Sequence, residues 1–384
     1  MRKRPHILLT GLAQHGLDRS IRIGLNRYAR LHGPWHLHDL PAGRMDYLKK
    51  FLNQGVDGVV GHWMDSRFET LLSRTGLPLI NFSAELENPQ TPSLLIDNRA
   101  VGKMAADYFI ERGFEHYLFI GIRGWRFERL REAGFCATLD SAGYTAVVAY
   151  EDSAASSSWV SILQSIPKPC AVLASMDQLA RRVCAYAYEQ ELAVPEKIAL
   201  LGVDNSDLIC EASLPELSSI RLPGEQIGYD AGAALDDAMQ NRPPAVFADT
   251  EETAGGVPIR LYSPEAVEER QSTDALAISD PFVANALHFI RESADRPITV
   301  TEVVLHSGTN RRNLERRFRN MLNSGILPHI HEAHLRHAAK LLRESSLSVP
   351  EIAERCGFRD QSSFSNLFRK RFHEPPGRYR RKPH

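Results

Sequence analysis

The sequence predicts a two-lobed α/β domain built on parallel sheets, followed by an all-α domain with two helix-turn-helix units. Three observations predict it. From residue 6 to about 270, short apolar runs bounded by Gly, Pro, Asp or Ser alternate with amphipathic helical stretches, the pattern of buried parallel strands joined by crossover helices. In the last hundred residues a short-helix, turn, short-helix unit occurs twice, about 50 residues apart. Charge divides the same way: residues 281–384 hold 19 Lys and Arg against 10 Asp and Glu, leaving 27 against 37 for the rest of a nearly neutral chain. A basic segment on an acidic body implies two modules with different partners, the basic one suited to phosphate.

With 384 residues, 43% of them hydrophobic, the chain has material for two or three cored domains. At the start, MRKRPHILLTGL sets basic residues before an apolar run that is too short for a secretory signal and lacks a small-residue cleavage site. It reads as a buried first strand, HILLTG (6–11). Further strands are expected at GVVGH (58–62), PLINFS (78–83), SLLID (93–97), HYLFIG (116–121), AVVAY (146–150), CAVLAS (170–175) and IALLGVD (198–204), with helices such as 100–112 and 178–191 between them. So long a body exceeds one open sheet, hence two lobes, with ligands expected where loops converge at the carboxyl ends of strands. The five cysteines, at 136, 170, 184, 210 and 356, form no C-x-x-C pair and read as reduced core thiols of a cytoplasmic protein. No segment is long and apolar enough to span a membrane. The expected boundaries are 1–270 for an effector-binding domain, 271–280 for a linker and 281–384 for a DNA-binding domain.

The first helix-turn-helix is TVTEVVLHSGTNRRNLERRF (299–318) and the second LSVPEIAERCGFRDQSSFSNLFRKRF (347–372). Each has a Ser or Thr start, an apolar pair (Val303/Val304, Ile352/Ala353), a Gly (Gly308, Gly357), and a polar helix with an apolar i, i+4 pair, Leu314/Phe318 or Phe364/Phe368. One helix over 330–342 would hold the two recognition helices apart, so that they could enter successive major grooves roughly 34 Å apart. Asn310 and Asp360 are placed as caps. Arg311, Arg312, Asn313, Arg316 and Arg319 are left for groove or phosphates on the first helix, and Gln361, Ser362, Ser365 and Asn366 face outward on the second. Arg reads guanine, whereas Gln and Asn suit adenine. Arg369, Lys370, Arg378, Arg380 and Arg381 read as phosphate anchors, which position without specifying.

Several stretches carry a resemblance. GVDNSD (202–207), LPELSSI (214–220), IGYDAGAAL (227–235), IDNRAVGKMAADYFIERGFEHYLFIG (96–121) and AVLASMDQLARRV (171–183) resemble the sugar-responsive domain of LacI/GalR-type repressors and the periplasmic sugar-binding proteins. The C-terminal hundred residues resemble the AraC/XylS-type DNA-binding domain. A periplasmic-binding-protein-like domain followed by two helix-turn-helices is the order of the xylose operon regulators. The sequence departs from that pattern at Asn323 and His373, where a Gly is usual, at His334, where an Arg is usual, and in the longer segment AGGVPIRLYSPEA (254–266). Asn tolerates left-handed backbone; His373 does so less readily, which predicts a distorted last turn.

A sugar pocket needs planar hydrogen-bonding groups for adjacent hydroxyls and an aromatic face for the ring. Strand-end candidates are Asp18 and Arg19, His62 and Trp63, Arg131, Asp177, and Asp204 with Asn205. The resemblance implies sugar contact for Asp204 and Arg131. Set against this, Asp204 could cap the following turn, Trp63 could lie buried between lobes, and Asp97 and Asp177 precede helices as N-caps would. His331, His334 and His337, with His329 just before, have helical spacing but no accompanying carboxylates or thiolates, so a partly solvated face is preferred to a metal site. No phosphate loop, G-x-S-x-G elbow or catalytic carboxylate pair occurs, so neither an enzyme nor a bound cofactor is expected. The whole implies a sugar-responsive transcription regulator, a homodimer on double-stranded DNA, touching RNA polymerase if it activates. A different effector, a sugar-modifying enzyme or an exported binding protein are the alternatives.

Overall fold

The computed structural model describes residues 4–12, 16–40, 48, 51–52, 55–63, 65–151, 158–250, 253–254, 256–274, 280–345, 347–358 and 360–380. The chain divides into two compact units, Met1–Asp274 and Ala275–His384. The boundary falls inside the expected linker. Residues 271–274 nevertheless belong to the first unit, because Ser272 and Thr273 are buried and Ser272 Oγ donates to the Leu200 carbonyl at 2.6 Å.

In the first unit, strands β1 (His6–Thr10), β2 (His36–Leu40), β3 (Gly58–Gly61), β4 (Leu79–Asn81) and β5 (Ser93–Ile96) belong to one sheet. Strands β6 (Tyr117–Ile122), β7 (Ala146–Glu151), β8 (Cys170–Ala174), β9 (Ile198–Val203) and β10 (Ser218–Arg221) belong to a second. The chain then returns to the first sheet with β11 (Thr253–Ala254) and β12 (Val257–Tyr262), and ends in the second with β13 (Ala266–Glu268). The orders are β11-β12-β5-β4-β3-β1-β2 and β13-β10-β9-β8-β6-β7. Pairing is parallel except at the edges, where β11 and β13 run antiparallel to their neighbours. All eight expected strands are present. The polar edge strand β2 (HLHDL) was not anticipated, nor was β10. The long 254–266 segment supplies the β11–β12 hairpin, whose Tyr262 is buried beside Ile96.

Helices α1 (Gly16–His32), α2 (Ser66–Ser73), α3 (Asn98–Ile110), α4 (Arg126–Ser141), α5 (Ser158–Ser165), α6 (Asp177–Glu189), α7 (Asp207–Cys210) and α8 (Gly224–Met239) connect the strands. In one lobe α1 packs against α8, in the other α3 against α4. Both crossings rest on glycine. A Cβ on Gly24 would lie 1.9 Å from the Glu225 carbonyl oxygen and one on Gly228 1.8 Å from that of Ile21; Gly102 and Gly134 meet Arg131 and Arg99 in the same way. Only glycine lets the backbones approach so closely.

The second unit is helical: α9 (Pro281–Glu292), α10 (Val300–Ser307), α11 (Arg311–Leu322), α12 (Ile326–Glu344), α13 (Val349–Arg355), α14 (Gln361–Phe372) and α15 (Pro376–Tyr379). The two helix-turn-helix units are α10–α11 and α13–α14. Each opens with a reciprocal capping box, Thr299 with Glu302 and Ser348 with Glu351. Helix α12 is longer than expected and serves two cores: Ile326 and Ile330 pack with Leu314 and Phe318, while Leu335, Ala338, Ala339 and Leu342 pack with Phe364 and Phe368. Asn323 and His373 both take left-handed caps, at φ 50° and 60°. The distortion expected at His373 is absent; helix α14 runs to Phe372 and the His373 backbone takes the left-handed geometry.

Candidate functional site: a ligand pocket and a nucleic-acid interface

A cavity of about 390 Å³ opens at the strand ends of the first unit, lined by both lobes. The seven-stranded lobe contributes Asp18, His62, Phe82 and Glu85, and the other lobe Trp125, Phe127, Arg131, Gln178 and Asp204. Asp204 follows β9 at φ 106°, a backbone conformation that non-glycine residues seldom occupy. Burial pushes its carboxyl up to about 7, with Asp177, Asp18 and Glu128 adding to the rise and Arg131 opposing it. Arg131 is buried on α4, where its Nε donates to Asn98 Oδ1 at 2.9 Å and its Nη1 to the Ser175 carbonyl. His62 Nε2 donates to Asp18 Oδ1 at 2.9 Å. Among the described residues Gln178 Oε1 is buried without a hydrogen-bond partner, an acceptor open to a ligand hydroxyl.

Thus Asp18, His62, Arg131 and Asp204 converge, whereas four expected ligand residues are corrected. Trp63 is fully buried behind the cavity, with its Nε1 donating to Thr91 Oγ1 at 2.8 Å. Asp177 ties β10 to the loop after β9: its carboxylate accepts from Ser219 Oγ at 2.6 Å and Ser206 N at 2.7 Å, and burial holds it up at about 6. Asn205 turns to Arg270, whose Nη1 donates to its Oδ1 at 2.8 Å. Arg19 is exposed on α1, outside the lining. Asp97 caps α3 as expected, accepting from Ala100 N at 2.9 Å. Sequence reasoning missed Phe82, Asn98, Phe127 and Gln178; Asn98 and Gln178 each directly follow an acid at the start of a helix, Asp97 and Asp177, the one signal that could have found them.

In the second unit Arg312, Arg316 and Arg319 are exposed on α11, opposite buried Leu314 and Phe318. Arg316 Nη2 donates to Asn313 Oδ1 at 2.9 Å, so Asn313 holds the Arg316 side chain. Arg311 pairs with Glu315 at 2.9 Å. On α14, Gln361, Ser362, Asn366, Arg369 and Lys370 are exposed and Ser365 is half-buried. Arg378 is exposed. Arg380 is corrected from phosphate anchor to helix closure, because it donates to the carbonyls of Leu342 and Leu347 near the end of α12. Arg381 lies outside the described residues. The histidine face is interior: His334 is buried and its Nε2 donates to the Arg296 carbonyl at 3.0 Å, while His331 and His337 are half-buried. No metal-holding group of His, Cys, Asp or Glu occurs among the described residues.

Residues 106–273 match the family model of a periplasmic binding protein-like domain and residues 305–382 that of a helix-turn-helix domain. The xylose operon regulatory protein of Haemophilus influenzae is 30% identical over 346 residues, 86% of each chain. Its counterpart in Escherichia coli K12 is 29% identical over 98% of this chain and 97% of its own. The solved structure of the xylose-binding transcription activator XylR superposes with a TM-score of 0.76 at 28% identity, covering 99% of this chain and 98% of that one. The chain belongs to the xylose operon regulatory protein family. It is a sugar-responsive, DNA-binding transcription regulator and not an enzyme. Membership accounts for both sites at once: a cavity at strand ends that brings charged and aromatic side chains together, and two exposed polar helices on a shared scaffold. No described helix is long and apolar enough to cross a membrane.

Proposed function

We propose that the cavity takes one free pentose, D-xylose foremost, and that lobe closure around it changes how paired C-terminal units engage tandem half-sites. The observation that carries this reading is the convergence of Asp204, Arg131, Gln178 and the His62–Asp18 pair beside Phe82 and Phe127. Carboxylate, guanidinium and amide groups can each pair with adjacent hydroxyls, and the rings offer faces for C–H surfaces. The volume is near the small end of ligand pockets, about 300–1,000 Å³, which favours a monosaccharide. Relatives described as xylose operon regulators and as a xylose-binding transcription activator support xylose as the ligand and activation as the output. The protein acts in the cytoplasm as a homodimer, since tandem major-groove sites call for paired readers.

Thermal shift against a pentose and hexose panel tests the ligand. D-xylose is expected to raise the melting temperature in proportion to RT ln(1 + [L]/Kd), and Asp204→Ala to weaken it about ten- to hundredfold. No response to any sugar would overturn the reading. Sedimentation with and without operator DNA measures the dimer.

A further inference from the structure

One helix beside the cavity is capped from the opposite lobe. Helix α4 begins after Trp125, whose side chain supplies no cap to the first turn. The free amides there are met instead by Glu85, which lies between β4 and β5 of the seven-stranded sheet. Arg126 N donates to Glu85 Oε2 at 2.8 Å, and Phe127 N donates to Oε1 at 3.3 Å. Arg126 Nη1 returns across the same gap to the Ala84 carbonyl at 2.9 Å.

The Glu85 side is held rigidly. Buried Asn81 accepts from Ser83 N at 2.8 Å and from Trp63 N at 3.3 Å, and its Nδ2 donates to the Ser83 carbonyl at 2.9 Å and to Ser93 Oγ at 3.1 Å. Ser83 Oγ in turn accepts from Glu85 N at 3.2 Å. The opposite side is the first turn of the helix that carries Phe127 and Arg131 into the cavity. A carboxylate on a helix N-terminus satisfies orphan amides and complements the macrodipole. Because the two partners belong to different lobes, this stabilisation exists only while the lobes are together.

We propose that Glu85 is a positioning residue that latches the closed lobes by capping α4, and so sets sugar affinity and residence time without bonding the sugar. Each of its oxygens accepts one of the free amides of α4. A ligand shifts an equilibrium only by its differential affinity for the two states, and a latch present in one state changes the balance from which the ligand starts. This inference rests on the reading above that sugar enters by lobe opening.

The test uses the full chain and D-xylose. Glu85→Ala should weaken binding about tenfold, with a faster dissociation rate, because the latch holds the closed state. Glu85→Gln, which keeps one amide oxygen as acceptor, should recover part of the affinity. Spin labels on the two lobes should show the ligand-free protein shifted towards longer distances by Glu85→Ala. Unchanged dissociation together with an unchanged distance distribution would overturn the latch. Should the wild type not bind D-xylose, the ligand reading fails, and the distance distribution still decides the latch.

Discussion

The two units handle charge in opposite ways. In the sensor unit, Arg131, Asp177 and Glu128 are buried, Asp204 lines the cavity beside them, and all four act on one another, although they come from α4, α6 and the end of β9. In the DNA unit, Arg312, Arg316 and Arg319 come from one helix and stand in solvent. A buried charge is tolerated only with its partners, so its loss is severe; an exposed one acts on whatever binds it, so its loss is graded. The contrast is therefore one of consequence as well as place.

The most severe break should come from Arg131→Met, which leaves Asp204, Asp177 and Glu128 without their shared cation. Unfolding of the sensor unit in denaturant is expected to become easier by about 3–5 kcal/mol at neutral pH, with sugar binding lost. The defect should shrink at mildly acid pH, where these carboxyls take up protons. A loss below about 1 kcal/mol would mean that the buried cluster behaves like a surface one.

Acid should move the two units apart in stability. Burial raises Asp204 to about 7 and Asp177 to about 6 from an ordinary 3.8, and raises Glu128 as well. The folded sensor then binds protons before the unfolded chain does, so its stability is greater at low pH and declines as pH rises through about 6 to 7. His38, lowered by burial and by His6 and His36, pulls the other way. In the DNA unit burial lowers His331, His334 and His337, with Asp295 opposing and Arg355 and Lys340 assisting at His337. There the unfolded chain protonates first, so stability is lost as pH falls below 6.5. Calorimetry of the full chain between about pH 8 and 5.5 should raise one transition and lower the other, each pKa unit being worth about 1.4 kcal/mol. Transitions that shift together would break the comparison.

Within the DNA unit the contrast sharpens between reading and anchoring. Arg316→Ala should weaken operator binding by about 1–3 kcal/mol and relax preference at one base pair, as a bidentate guanine contact would. Arg369→Ala should weaken all sequences alike and lower the salt slope by about one. Equal loss of specific and non-specific binding in Arg316→Ala would make α11 a backbone clamp and leave reading to Gln361, Ser362 and Asn366. The smallest effect is local: Thr299→Ala removes the cap of α10 and should cost about 1 kcal/mol in the DNA unit alone, read by denaturant unfolding.

These differences also explain what could be read before any coordinates. The helix-turn-helix units were legible down to caps and outward faces, because a capping box, a left-handed Gly and an i, i+4 apolar pair are satisfied by residues within four positions of one another. The buried strands were legible because their apolar runs are contiguous. What the sequence by itself determined was thus the order of elements, the split of charge, and the sugar-regulator pattern of motifs. Tertiary structure alone decided that Trp63 and Asp177 serve buried networks, that Asn98 and Gln178 reach the cavity, that Arg380 closes α12, and that Glu85 caps a helix of the other lobe. The partners of Trp63, Asp177, Arg380 and Glu85 lie 18 to 42 positions along the chain, as with Trp63 and Asn81 at 18, Asp177 and Ser219 at 42, or Glu85 and Arg126 at 41. No local preference encodes such a pairing; it appears only when packed sheets bring the ends of distant strands to one edge.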